Sequence, residues 1–283
     1  MAHPNDRRAL GFALLAALAW CGAADAQEAP APNPPPPAPT SPLPEVTQKS
    51  PVANCVEPPP VISLEDYHGA VAKFVGLFAT KLEYKSVHAP HYKSGAVLCV
   101  LPLDQKFVLF ARQTLTPATF LIAGFGAGID QARDADPSYG QGAAGYGKRF
   151  GANLADQASN NFFKTLVYPT IFSEDPRYYR LGQGPGGKRF LHALEHSVVA
   201  HRDNGARMFN FSEWLGTSSA VALSNVYHPD YERGWGPGAA RVAIGVARDA
   251  GIDVLREFWP EIARELHLPY RGEPSPSAPA PKN

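Results

Sequence analysis

The residues with the sharpest chemical spacing are His192-Ala193-Leu194-Glu195-His196. On a helix, positions four apart share a face, so both imidazoles could reach one metal ion. Glu195, one residue before the second histidine, would lie close enough to act as general base on a metal-bound water. This H-x-x-E-H order is the inverted zinc-hydrolase signature, and it needs a third ligand from elsewhere. Glu257, Glu261 and Glu265, on the last predicted helix, are the candidates. The competing reading is a half-exposed helix carrying two surface histidines.

Other spellings suggest anion or nucleotide chemistry. Gly142-x4-Gly147-Lys148 and Gly182-x4-Gly187-Lys188 match most of a phosphate-binding loop, and Gly140-x-Gly142-x-x-Gly145 spells a dinucleotide fingerprint. A phosphate loop needs a preceding strand and a Ser or Thr for magnesium. Here no strand is predicted before any of the three, and Arg149 and Arg189 stand at the magnesium position of the two loop spellings. Nucleotide binding is disfavoured on that ground, leaving surface charge at a helix start as the main reading and some other anion as the alternative. His68, His88 and His91 cluster with Tyr84 and Tyr92 without a recognised metal spacing. Ser218 and Ser219 lack the strand–turn–helix elbow of a serine hydrolase. Asp175, Arg177 and Arg180 with Tyr178 and Tyr179 read as a structural cap network, the alternative being a binding surface. No catalytic residue, metal ligand or cofactor is assigned from these patterns.

The elements that must position such residues are helical. Ser63-x-x-Asp66 resembles a capping box, followed by Tyr67, Val71, Phe74, Val75, Phe78 and Leu82 on one predicted helical face. The run Gly95–Leu103 reads as a short strand or as an apolar lead-in to Pro102, with Asp104 capping the next helix. Thr116-Pro117 opens another helix through about Gln131. A central helix spans Tyr146–Ile171, with Ala143, Gly147, Gly151, Ala155 and Ser159 recurring every four residues as a small-residue face suited to close packing. Pro169 should end or kink it. Further helices are predicted over Arg189–His201, from the Asn210-x-x-Glu213 cap to about Val226, and from the Gly234–Gly238 cluster to about His267. Pro260 is a potential kink in the last. The fold class expected is all-α, a single bundle-like domain of tightly packed Gly/Ala-lined helices over residues 61–271.

Both ends read differently. Residues 1–26 have the three parts of an export signal: Arg7-Arg8, the apolar run Ala9–Ala19, and Ala24-Asp25-Ala26 as a cleavage site. Arg7-Arg8 also loosely fits a twin-arginine signal. Residues 27–60 are a Pro-rich linker expected to be extended and disordered, and 272–283 a disordered tail. Cys21 leaves with the signal. Cys55 and Cys99 either pair, as an oxidising compartment allows, or Cys99 is a buried small hydrophobe. The chain carries 26 basic and 26 acidic residues, so no global field recruits nucleic acid, and its 45% hydrophobic content is that of a globular protein.

The blocks Gly140-Gln141-Gly142-Ala143-Ala144-Gly145-Tyr146-Gly147-Lys148-Arg149-Phe150-Gly151, Asp175-Pro176-Arg177-Tyr178, Asn210-Phe211-Ser212-Glu213 and Glu257-Phe258-Trp259-Pro260 together resemble an uncharacterised family of exported bacterial proteins with no assigned activity. The resemblance covers roughly Leu101–Ile262 and implies an envelope location and a helical fold. It brings no catalytic residues. The expectation is an exported envelope protein, periplasmic or outer-membrane associated, with a binding or structural role toward an envelope component. The alternatives are a zinc-dependent hydrolase using His192, Glu195 and His196, and a peripheral membrane or lipid-binding protein.

Overall fold

A computed structural model describes residues 55–88, 98–228 and 234–271, all within one compact unit. The predicted signal 1–26, linker residues 27–54, the tail 272–283, and His91 and Tyr92 lie outside the described residues.

The architecture is mostly helical, as the spacing predicts. Its helices are α1 (Ala70–Tyr84), α2 (Leu103–Thr114), α3 (Pro117–Ala132), α4 (Gly142–Asn161), α5 (Gly186–Glu195), α6 (Phe211–Ser224) and α7 (Trp235–Glu265). Pro117 occupies the first turn of α3, where its fixed φ is already helical and its missing N–H costs nothing. Asn210 caps α6 by accepting from the Glu213 amide at 2.9 Å. α4 continues through a π-helical turn, Phe162–Val167, and a last turn, Tyr168–Ile171. That wider turn sends Lys164 inward, where its ammonium pairs with Glu213 of α6 and Asp249 of α7.

Four expectations need correction. Two small sheets accompany the helices, so the domain is not purely α. β1 (Ser86–His88) runs parallel to β3 (Tyr178–Arg180), while β4 (Val199–Arg202) lies between β2 (Glu174–Asp175) and β5 (Arg207–Phe209), antiparallel to both. Strands this short cannot show alternation in sequence. The helix predicted over Arg189–His201 is α5 followed by β4: it stops at Glu195, and Val199 and Ala200 pair with Phe209 and Met208.

The Ser63 capping box forms, but it closes only a 3-10 turn, Leu64–Asp66, because Gly69 at φ +91° breaks the chain before α1. Tyr67 therefore leaves the predicted helical face. It is wholly buried with Ala79, Leu82, Trp259 and Ala263, whereas Val71 and Phe74 point outward.

The small-residue face of α4 is the fourth correction. Ala143, Gly147 and Gly151 are exposed, and a Cβ on Gly147 or Gly151 would meet nothing within 4 Å. Close approach occurs at other glycines: Gly145 against the Gly140 carbonyl, Gly216 against Lys164, and Gly245 against Thr217. The reason is Arg149. Its guanidinium donates to the Ala135 and Gly140 carbonyls, at 2.9 and 2.6 Å, and to Gln131 Oε1 at 2.6 Å, closing the 133–140 turn. This turns the Gly145–Arg149 side of α4 inward and the first three rungs of the predicted ladder outward, while Ala155 is half-buried and Ser159, the last rung, is buried.

The interior is polar. Arg149, Arg180, Glu83, Glu174 and Glu257 rank among the largest fully buried side chains, and the main apolar cluster is small. Buried charges need ion pairs or hydrogen bonds: Arg149, Arg180 and Glu257 have both, Glu83 pairs with Arg180, and Glu174 accepts from the Ser212 amide at 3.2 Å. Lys106, for example, donates to the Pro169 and Glu174 carbonyls and to Asp203 at 3.0 to 3.1 Å.

Candidate functional site

α5 is a ten-residue helix starting after Pro185, and its rotation is set by Arg189. That guanidinium donates to Glu257 Oε1 at 2.9 Å, to the Glu257 carbonyl at 2.7 Å and to Glu261 Oε1 at 2.7 Å, all on α7. With Arg189 and Ala193 held inward, His192 and the C-cap residue His196 fall toward β3 and β4. Together with His201 of β4 they line a cavity of about 220 Å³, whose wall includes the ring of Tyr179.

Each imidazole is differently engaged. His196 Nδ1 lies 2.7 Å from Asp253 Oδ2, and Asp253 also accepts from Arg256 Nη1 at 2.5 Å. Burial opposes ionisation of Asp253, but its pairing with His196 and Arg256 outweighs that and holds the carboxyl down at about 2. In the neutral ring, an ionised carboxylate at that distance keeps the proton on Nδ1, so Nε2 is the acceptor. Nε2 makes no hydrogen bond among the described residues. His192 donates from Nε2 to the Tyr179 carbonyl at 2.8 Å. His201 stacks on the Tyr179 ring at 4.2 Å between centroids, and its buried Nδ1 has no hydrogen-bond partner among the described residues. Burial, aided by repulsion from His196, pushes its pKa down to about 4, so it stays neutral. At the mouth Arg207 and Glu195 form an exposed ion pair.

The segment behind this wall satisfies the cap-network reading. Asp175 accepts from the Arg177 amide at 3.0 Å, from Arg177 Nε at 2.8 Å and from the Tyr179 hydroxyl at 2.8 Å. Arg180 donates to the Arg256 carbonyl at 2.6 Å. Arg177 also donates to the Cys99 carbonyl at 2.9 Å, and Cys99 is disulfide-bonded to Cys55, which settles the two readings of those thiols. On its inner side His196 borders a void of about 10 Å³, beside Lys85. Burial, with the nearby charges of Arg256 and Lys164, lowers the Lys85 ammonium to about 8.

The H-x-x-E-H pattern thus brings His192, Glu195 and His196 to one cavity but not its expected third ligands. Glu257 accepts from the Tyr178 hydroxyl and the Leu181 and Gly182 amides as well as from Arg189, Glu261 is held by Arg189, and Glu265 is exposed. Among the described residues no group of three His, Cys, Asp or Glu is disposed to hold a metal ion. Arg149 and Arg189 of the phosphate-loop spellings are internal struts, and Lys148 and Lys188 are exposed. His88 contacts Arg180 and His68 is exposed. Ser218 is exposed within α6, and Ser219 bonds the Tyr168 hydroxyl at 2.7 Å. Asp253 and His201 are the site residues that the motif search missed, and Tyr179 was singled out only as part of the cap network. One signal was present: Asp253, Glu257 and Glu261 recur every four residues, a carboxylate stripe on α7. Comparison with protein-family models, curated proteins and solved structures returns no match.

Proposed function

We propose that the chain is an exported envelope protein whose helical domain rests against a lipid bilayer and binds there through its outer face. One observation carries this reading: the domain is polar inside and apolar outside. On α2 and α3, Phe107, Val108, Phe120, Leu121, Ile122 and Phe125 are exposed, Phe125 to 74%, while Lys106 and Gln113 of the same segment are buried. α6 repeats the inversion, burying Glu213 and Thr217 and exposing Trp214, Leu215 and Leu223. A helix facing water shows the opposite arrangement, and an apolar surface this extensive marks an association site.

Lipid is the occupant favoured over a protein partner. α3 carries no charged side chain from Pro117 to Ile129. α2 and α3, bent by 43°, together have the length and apolarity of a broken membrane span, although no single described helix does. Exposed Trp214 and Trp235 suit the lipid–water interface. Export rests on the signal pattern of residues 1–26, and the Cys55–Cys99 bridge supports an oxidising compartment.

Flotation with phospholipid vesicles tests the reading. The protein should rise with the vesicles, and Ile122→Glu with Phe125→Glu should release it without lowering its unfolding midpoint. Wild-type protein remaining in the dense fraction would sink the proposal.

A further inference from the structure

The cavity contains the parts of a water-activating site. Asp253 is buried and meets His196 Nδ1 at 2.7 Å, which leaves Nε2 as the unengaged nitrogen of a ring that lines the cavity. His192 and His201 crowd the same space without bonding Nε2 of His196. Arg207 supplies a cation at the rim. The segments that wall the cavity also expose Leu191, Leu194, Val198 and Phe209, so apolar surface accompanies a cavity lined by three histidines and Arg207. A ligand matching both parts has a polar reacting group and an aliphatic chain.

We propose that this cavity is a hydrolytic site in which His196, positioned by Asp253, activates water against the carbonyl of an acyl ester. Water oxygen attacks the acyl carbon as its proton passes to His196 Nε2, and Arg207, the cation that lines the cavity beside Glu195, would meet the developing oxyanion. Collapse breaks the bond between acyl carbon and alkoxy oxygen. The imidazolium returns its proton to the departing alcohol, releasing a carboxylic acid. His196 is the catalytic residue and Asp253 the positioning residue. The site needs no third metal ligand, so it differs from the zinc reading of the same helix. It rests on the lipid-seated reading only for the source of the ester.

The test uses the purified protein with a water-soluble short-chain p-nitrophenyl ester and, separately, phosphatidylcholine vesicles. Hydrolysis of both is expected, falling about 100-fold or more in His196→Gln. Turnover of the soluble ester alone would overturn the lipid ester as substrate while leaving vesicle binding to the flotation assay. Turnover of neither, or activity lost to a chelator and restored by zinc, would overturn the dyad. Because His196→Gln removes a part-buried hydrogen bond, imidazole nitrogen NMR on the wild type gives an independent reading. His196 should be the Nδ1–H tautomer and should shift toward Nε2–H in Asp253→Asn, a change that loss of packing alone does not produce. An Nε2–H tautomer in the wild type would overturn the assignment.

Discussion

The Tyr178 ring meets His196 edge-on, with centroids 5.1 Å apart and planes at 87°, while its hydroxyl donates to Glu257 Oε2 at 2.8 Å. One tyrosine thus ties the cavity to the most heavily bonded carboxylate of α7. Disturbing Glu257 should move His196.

Glu257→Gln leaves Arg189 buried without its charge partner and cannot accept all the hydrogen bonds that the carboxylate holds. Breaking a buried pair from one side costs about 3–5 kcal/mol. Differential scanning calorimetry should show a midpoint lower by roughly 6–20 °C for a domain of this size. Glu257→Asp should recover part of the loss.

Asp253 is held at about 2 in the folded chain, below the roughly 3.9 of an unfolded aspartate. Its contribution is therefore complete above about pH 4 and disappears as pH falls through 2. Urea unfolding of wild type and Asp253→Asn should differ at pH 6 and converge toward pH 2. A constant gap across that range would contradict the assigned charge.

His201 works in the other direction. Its folded pKa of about 4 lies below the roughly 6.5 of an unfolded histidine, so between those values the unfolded chain binds the extra proton. Stability should fall as pH drops from 6.5 to 4. His201→Phe, which keeps the stacking on Tyr179, should flatten that slope.

The disulfide joins residues separated by 44 positions. A loop of that length contributes about 4 kcal/mol in the chain-entropy model. Reduction should lower the unfolding midpoint by roughly 8–16 °C, and vesicle binding by protein that remains folded should persist.

Two glycine classes should respond oppositely. An added Cβ at Gly216 would lie 2.5 Å from Lys164 Cγ and 3.3 Å from its backbone, whereas at Gly151 it meets nothing. Gly216→Ala should destabilise by about 1–3 kcal/mol. Gly151→Ala should stabilise by about 0.5–1 kcal/mol through helix propensity. Chemical denaturation measures both.

The α4 ladder shows where pattern reading failed. Small residues every four positions mark a smooth strip, but smoothness does not say whether protein or solvent covers it. Arg149, one of the most deeply buried side chains, decided that by needing the carbonyls of the 133–140 turn. The same limit applied to α1, where Val71 and Phe74 were expected to face the core with Leu82.

Helix locations were legible in the sequence by itself, because caps, prolines and glycines act within a turn or two of where they stand. Pro117, Asn210 and the glycines before α7 needed no distant partner. Tertiary structure alone decided which face of each helix is inside, that Asp253 rather than Glu257 meets His196, and that His201 returns on a strand to complete the cavity. Those choices depend on satisfying buried charges between distant segments, as Arg180 and Glu83 do across 97 positions and Arg271 and the Glu83 carbonyl across 188. No periodicity in one segment records which charge waits in another.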